Sequence, residues 1–128
     1  MELITTKICM AKDIGIHGNL FGGKMLAWLD EAGAAFASQM ADSPRMVTKA
    51  ISTVVFERPV KAGRIVKIYA RPNGVGNSTV NFDLEARSHN PYNGQQKVVC
   101  KTSMTFIQID EDAEPLPLTK KVKDKYKN

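Results

Sequence analysis

Apolar and polar residues alternate most regularly along the segment 79–87. Every second position there is apolar, namely Val80, Phe82, Leu84 and Ala86. A period of two is typical of a strand that has one face in a core and the other in solvent. The segment is therefore predicted to form a half-buried β-strand.

Four other segments predict strands, although their alternation is weaker. They are rich in β-branched residues or are closed by turn residues, and they span 3–10, 46–56, 65–70 and 97–109. Pro, Gly and Asn in the segments 71–76 and 89–94 predict short loops. Short hairpin connections favour antiparallel pairing of the strands.

The segment 24–40 predicts a long helix, because it contains no proline and is rich in alanine. Its apolar residues occupy every face of a helical wheel, so the helix is expected to be buried. The element order is one strand, one buried helix and four strands. This order predicts an α+β fold in which an antiparallel sheet wraps around a long central helix.

The chain has 128 residues, 43% of them hydrophobic and 24% charged, which predicts a single domain with a packed core. We expect a cytoplasmic protein, because no signal peptide and no apolar run of membrane-spanning length are visible. Cys9 and Cys100 are expected to be reduced, buried residues, and no metal site is predicted.

The net charge of +5 is concentrated at the C-terminus, where residues 119–128 contain five lysines and one aspartate. The domain is therefore predicted to span residues 1–118 and to be followed by a basic, flexible tail, 119–128. A solvated tail is the favoured interpretation. The alternatives are a contribution to a polyanionic ligand site and an arm that binds nucleic acid.

The sequence Gly18-Asn-Leu-Phe-Gly-Gly-Lys-Met25 matches seven of the eight positions of a P-loop. Met25, however, replaces the Ser or Thr that would bind Mg²⁺, and no buried strand is predicted before Gly18. Nucleotide hydrolysis is therefore disfavoured. A glycine-rich turn before a helix still presents unpaired backbone N–H groups, which can stabilise an oxyanion.

The motifs Gly18-Asn-Leu-Phe-Gly-Gly23 and Asp30-Glu-Ala-Gly33 resemble those of hotdog-fold acyl-CoA thioesterases. Val47-Thr48, Phe56-x-x-Pro-Val-x-x-Gly63 and Gly76-Asn-Ser-Thr79 extend the resemblance in order over roughly residues 3–110. The resemblance implies a hotdog fold and hydrolysis of acyl-CoA to a free acid and CoA. It also implies a homo-oligomer, either a dimer or an assembly of dimers.

By this resemblance Asp30 is the general base or nucleophile, and the N–H groups of Gly22 and Gly23 form the oxyanion hole. A carboxylate on an apolar helix is costly to bury without a partner or a task, although Glu31 beside it indicates that this side of the helix could be wet. Thr48 would lie near the reacting carbonyl, or it could simply be a strand residue.

The family commonly has asparagine three residues before the glycine that is Gly18 here, and this chain has Gly15. The asparagine orients water or substrate in the relatives. In this chain Asn19 or His17 would have to supply the hydrogen bond that orients the water or the substrate.

CoA is expected as part of the substrate, and no separate cofactor is implied. The resemblance assigns the path of pantetheine and phosphate to one loop, which contains Gly74, Gly76, Asn77, Ser78 and Thr79. The positive charges of Arg58 and Lys61 are further candidates for contact with the CoA phosphates. The same residues also fit a solvated charge and an ordinary hairpin. Two other functions stay open, a non-catalytic acyl-CoA sensor that would not need Asp30 and, less favoured, a nucleic-acid-binding domain.

Gly22 and Asp30 are eight residues apart, which is roughly 12 Å along one helix. One carbonyl cannot contact both residues of the same helix. The sequence therefore predicts a twofold dimer in which each active site uses both chains.

Overall fold

A computed structural model of the chain describes residues 1–127, and Asn128 lies outside the described residues. Six strands and two α-helices follow one another within residues 1–127. They are β1 (Glu2–Ile8), α1 (Gly22–Ala41), β2 (Met46–Ile51), β3 (Val55–Phe56), β4 (Ile65–Val75), β5 (Thr79–His89), β6 (Gln96–Gln108) and α2 (Lys120–Lys125). A short 3₁₀ helix, Ala11–Asp13, precedes α1.

The strands form one antiparallel sheet with the order β1-β4-β5-β6-β2, and β3 also pairs with β6. The alternation predicted for β5 is confirmed, since Val80, Phe82, Leu84 and Ala86 are all buried while the residues between them are partly exposed. The apolar face of the sheet therefore lies against α1.

The helix α1 packs on this face through one continuous stripe. Its buried residues recur every three or four positions and are Met25, Trp28, Leu29, Ala32, Gly33, Phe36, Ala37, Met40 and Ala41. Ala27, Glu31 and Ala35 on the opposite side are exposed. The predicted burial of the whole helix is thus not reached within one chain, because the sheet covers only one side of it.

Two strand boundaries differ from the prediction. The predicted loop 71–76 mostly belongs to β4, which continues to Val75 through an irregularity in pairing between Pro72 and Val75. Gly74, at φ +86°, lies in this bulge, which accommodates the proline and glycine that suggested a loop. The predicted strand 46–56 is divided into β2 and β3.

The C-terminal segment also differs from the predicted solvated tail. Residues Lys120–Lys125 form α2, whose N-cap Thr119 accepts a hydrogen bond from the Val122 backbone N–H. Leu118 and Val122 are buried, and Tyr126 packs against the core. These three residues are spaced four apart, so one helical face docks while the lysines face outward.

Cys9 and Cys100 are both buried free thiols, as predicted. Burial raises the pKa of Cys100 to about 11, and it also raises the pKa of Cys9. Within residues 1–127, no group of three or more His, Cys, Asp or Glu side chains is arranged to hold a metal ion. Neither helix of this part of the chain combines the length and hydropathy needed to cross a membrane.

At Gly33 the helix α1 lies close to the sheet. A Cβ atom there would lie 2.7 Å from Met104 Sδ and 3.3 Å from the Phe106 ring. We predict that Gly33→Ala lowers the free energy of unfolding by about 1 kcal/mol, because overpacking outweighs the gain in helix propensity. Denaturant titration would measure the change.

Gly22→Ala is the matched control, since its Cβ would meet only the Phe56 ring, at 3.7 Å. This variant should not lose stability. Equal stability of the two variants would contradict the close helix–sheet contact at Gly33.

Candidate active site

Asp30 and Thr48 were predicted as separate site residues, and the structure brings them together. Asp30 is half-buried on α1, and β2 passes beside it. The Thr48 hydroxyl donates a hydrogen bond of 2.7 Å to Asp30 Oδ1. This hydrogen bond fixes one carboxylate oxygen and leaves Oδ2 available to another group.

The neighbouring carboxylate, Glu31, has a different environment. It is exposed and forms a 3.2 Å ion pair with Lys7 on β1. Within residues 1–127, no Lys, Arg or His side chain forms an ion pair with Asp30. The Asp30 carboxylate is therefore held by a neutral hydroxyl and is not neutralised by a cation, which suits a group that must accept a proton.

The N-terminus of α1 presents two free donors. Lys24 and Met25 both donate their backbone N–H groups to the Phe21 carbonyl, and the Phe21 side chain does not cap the helix. Among the described residues 1–127, the N–H groups of Gly22 and Gly23 have no acceptor. These two donors, together with the positive end of the helix, can stabilise an oxyanion.

An aromatic ring explains the glycine at position 23, whereas position 22 has room for a Cβ atom. A Cβ at Gly23 would lie 2.8 Å from the Phe21 ring, and one at Gly22 would lie 3.7 Å from the Phe56 ring. Both rings are more than half exposed in the single chain. The two rings thus give the helix N-terminus apolar neighbours.

The loop before α1 places Asn19 close to this N-terminus. Asn19 Oδ1 accepts a hydrogen bond from Lys61 Nζ at 3.3 Å, and its carbonyl accepts one from the Gly15 N–H at 2.8 Å. Gly15, Asn19 and the exposed His17 line a groove of about 770 Å³ beside Gly22. The two residues that could replace the family asparagine therefore border the same groove.

Asp13 was not predicted as a site residue, although it organises this loop. It is only 4% exposed, its Oδ2 accepts the Met10 N–H, and its carbonyl accepts the Phe21 N–H. Its Oδ1 has no hydrogen bond to any of residues 1–127 and lies 3.6 Å from Lys24 Nζ. The sequence feature that could have identified Asp13 is its position three residues after Met10, which is the spacing of a capping box at a helix N-terminus.

The predicted CoA-binding residues fall at two separate ends of the sheet. The Arg58 N–H donates to the Val99 carbonyl, whereas the Ser78 carbonyl accepts from the Gln108 N–H. Val99 and Gln108 are nine residues apart in β6, which corresponds to about 30 Å. One chain therefore does not bring Arg58 next to the predicted CoA loop.

Each end is associated with a different catalytic candidate. Thr48 of β2 and Thr79 of β5 pair with neighbouring residues of β6, Phe106 and Ile107. The loop 76–79 therefore lies about two strand spacings, roughly 10 Å, from Thr48. Arg58 instead lines a groove with Gly22 and Asn19. The CoA loop thus accompanies Asp30, and Arg58 accompanies the helix N-terminus.

Local contacts shape the loop itself. The Gly76 N–H donates to the Thr79 carbonyl, and a Cβ at Gly76 would lie 2.5 Å from Thr79 Oγ1. Asn77 Oδ1 accepts a 2.7 Å hydrogen bond from Lys123 Nζ of α2. The lysine-rich helix therefore lies against the predicted CoA loop.

The family model described as "Thioesterase superfamily" matches residues 17–106. This region contains Asp30, Thr48 and both helix N-terminal glycines. The acyl-CoA thioester hydrolase YciA of Salmonella typhimurium is 28% identical over 120 residues, which cover 91% of this chain and 90% of that protein.

Two solved structures confirm the hotdog fold. A hexameric thioesterase of Yersinia pestis superposes with a TM-score of 0.86 at 28% identity, covering 92% of this chain and 95% of the other. A hexameric hotdog-fold thioesterase of Campylobacter jejuni gives a TM-score of 0.86 at 27% identity, and the match covers 98% of this chain and 96% of the other. The architecture predicted from the sequence is therefore confirmed.

Proposed function

The chain belongs to the thioesterase superfamily, and from this premise we propose that it hydrolyses acyl-CoA thioesters to a free carboxylic acid and coenzyme A. The observation that carries the proposal is the Thr48-bound Asp30 carboxylate on the same helix as two unpaired glycine N–H groups. The name of the Salmonella relative supports acyl-CoA as the substrate class.

In the proposed reaction, the N–H groups of Gly22 and Gly23 bind the thioester carbonyl oxygen and stabilise the negative charge that develops on it. Asp30 acts as a general base that takes a proton from water while the water oxygen attacks the carbonyl carbon. The C–S bond then breaks, and the CoA thiolate takes up the proton. In the alternative, Asp30 attacks directly and water hydrolyses the resulting anhydride.

Thr48 positions Asp30 in either mechanism. Its hydroxyl holds Oδ1, so that Oδ2 is directed to water or to the carbonyl carbon. Loss of this hydrogen bond would leave a correctly charged but less ordered carboxylate. The effect of removing Thr48 should accordingly be smaller than the effect of removing Asp30.

The proposed site requires two chains. Gly22 and Asp30 are eight residues apart on the uninterrupted helix α1, a rise of about 12 Å. Both groups must lie about 3 Å from one reacting centre. A twofold axis that brings two α1 helices together in opposite directions would place the partner's Gly22 near Asp30 and create two equal sites.

The edge of the sheet beside Asp30 is suited to this pairing. The sheet order ends at β2, and exposed apolar side chains line β2 and β3, namely Val47, Ile51, Val55 and Phe56. Unpaired strand edges with apolar side chains commonly pair with another chain. Three such dimers would form a hexamer, the assembly named for the Yersinia and Campylobacter thioesterases.

We predict that Asp30→Asn lowers the rate of thiol release from acyl-CoA by at least about a hundredfold, because the amide cannot accept the proton. Thr48→Val should lower the rate by less. Glu31→Gln is the matched control and should retain the parent rate, since Glu31 is exposed and paired with Lys7. Full turnover by Asp30→Asn would show that the catalytic assignment is wrong.

We also predict that CoA raises the melting temperature of the protein and that Mg-ATP does not. The glycine-rich turn has Met25 where a P-loop needs a hydroxyl for Mg²⁺. A larger shift with Mg-ATP would reverse this interpretation. Stabilisation by CoA without any thiol release from a panel of acyl-CoAs would instead identify a non-catalytic sensor.

A further inference from the structure

The arginines of this chain fall into two groups. Three of the five form ion pairs with carboxylates: Arg45 with Glu111 at 3.5 Å, Arg71 with Asp83 at 3.1 Å, and Arg87 with Glu85 at 2.6 Å. Within residues 1–127, Arg58 and Arg64 have no such partner, and both line the same cleft. The two guanidinium groups that form no ion pair therefore lie in one cleft.

This cleft, called here the cation cleft, has a volume of about 310 Å³ and is lined by Arg58, Lys61, Arg64 and Lys97. Asn90 and Gln95 add polar groups to its wall, and no carboxylate of the described residues lines it. Lys61 contacts the neutral Asn19 Oδ1, and Lys97 forms no ion pair in the described residues 1–127. Four positive charges thus share one concave surface without a neutralising side chain.

Strand register brings these residues together from distant parts of the sequence. Ser88 of β5 pairs with Lys97 of β6, and Ile65 of β4 pairs with His89. Arg64 precedes Ile65 and therefore lies at the same end of the sheet. The Arg58 N–H is tied to the Val99 carbonyl at that end as well.

Clustered cations repel one another, and a concave surface screens them less well than open solvent does. A ligand that carries several negative charges would relieve this repulsion. Guanidinium groups bind phosphate through paired N–H donors, and lysine adds a point charge. The cation cleft therefore fits a ligand with more than one phosphate.

The cation cleft continues into the groove at the N-terminus of α1. That groove, of about 290 Å³, contains Gly22 and Asn19 and shares Arg58, Pro59 and Val99 with the cleft. A ligand could therefore place its phosphates in the cleft while its other end reaches the free N–H of Gly22.

We propose that the cation cleft binds the phosphate groups at the nucleotide end of coenzyme A, with Arg64 and Lys97 acting together with Arg58. The chain that supplies the oxyanion N–H groups then also holds the nucleotide. This assignment rests on the proposed function. It keeps Arg58 from the residues that the sequence suggested, and it places the phosphates away from the loop 74–79, which the sequence also suggested. That loop lies at the other end of the sheet, close to Asp30.

The test compares an acyl-CoA with the matching S-acyl pantetheine, which has the same thioester but no phosphate. Arg64→Gln, Lys97→Gln and the double variant should lower kcat/KM for the acyl-CoA by about tenfold or more relative to kcat/KM for the acyl pantetheine. Calorimetry should show a similar loss of affinity for CoA. Melting temperatures close to that of the parent would verify folding.

Lys121→Gln is the charge-matched control, because it removes one exposed charge from α2. It should leave unchanged the ratio of kcat/KM for the acyl-CoA to kcat/KM for the acyl pantetheine. Lys123→Gln tests the competing location, since Lys123 contacts Asn77 of the loop.

An unchanged ratio in the cleft variants, or a loss of CoA affinity confined to Lys123→Gln, would overturn the proposal. If the parent hydrolyses neither thioester, the proposed function fails, and CoA calorimetry on the cleft variants still decides where the phosphates bind. ADP should reduce CoA binding to the parent protein by competition, and it should have little effect on CoA binding to the double variant. Competition by inorganic phosphate alone at equal strength would identify a simple anion site and reject the nucleotide assignment.

Discussion

The rigid rise of α1 is the constraint on which the proposed site depends. The helix runs without interruption from Gly22 to Ala41, so its free N–H groups and the Asp30 carboxylate are held about 12 Å apart. The helix also lies close to the sheet, since a Cβ atom at Gly33 would meet Met104 and Phe106. The two groups that act on one carbonyl in the proposed reaction are thus separated within a chain, and in our proposal a second chain brings them together.

The same separation is found among the other candidate site residues on the surface. Asp30, Thr48 and the loop 76–79 lie toward one end of the sheet, whereas Gly22, Arg58 and the cation cleft lie toward the other. In the proposed dimer each chain would therefore contribute two complementary half-sites. The unpaired β2 edge lies beside Asp30 and offers the apolar surface through which a twofold partner would complete both of them.

Features with a short repeat could be predicted from the sequence, and features set by register could not. The alternation of Val80 and Phe82 identified β5, and the glycine pair located the start of α1. The contact of Thr48 with Asp30 and the convergence of Arg64 with Lys97 depend on strand pairing between distant segments. The bulge at Gly74 and the docking of Val122 were missed because local composition favoured a loop and a tail.

The two-chain site is tested most directly by mixing two inactive variants, Asp30→Ala and Gly22→Pro, and refolding them together. Proline is tolerated at the first position of a helix but has no N–H to donate. Random pairing would give half heterodimers with one intact site each, so recovery of about a quarter of the parent activity is predicted. Absence of recovery, with heterodimers shown to have formed, would contradict the account and place the site within one chain.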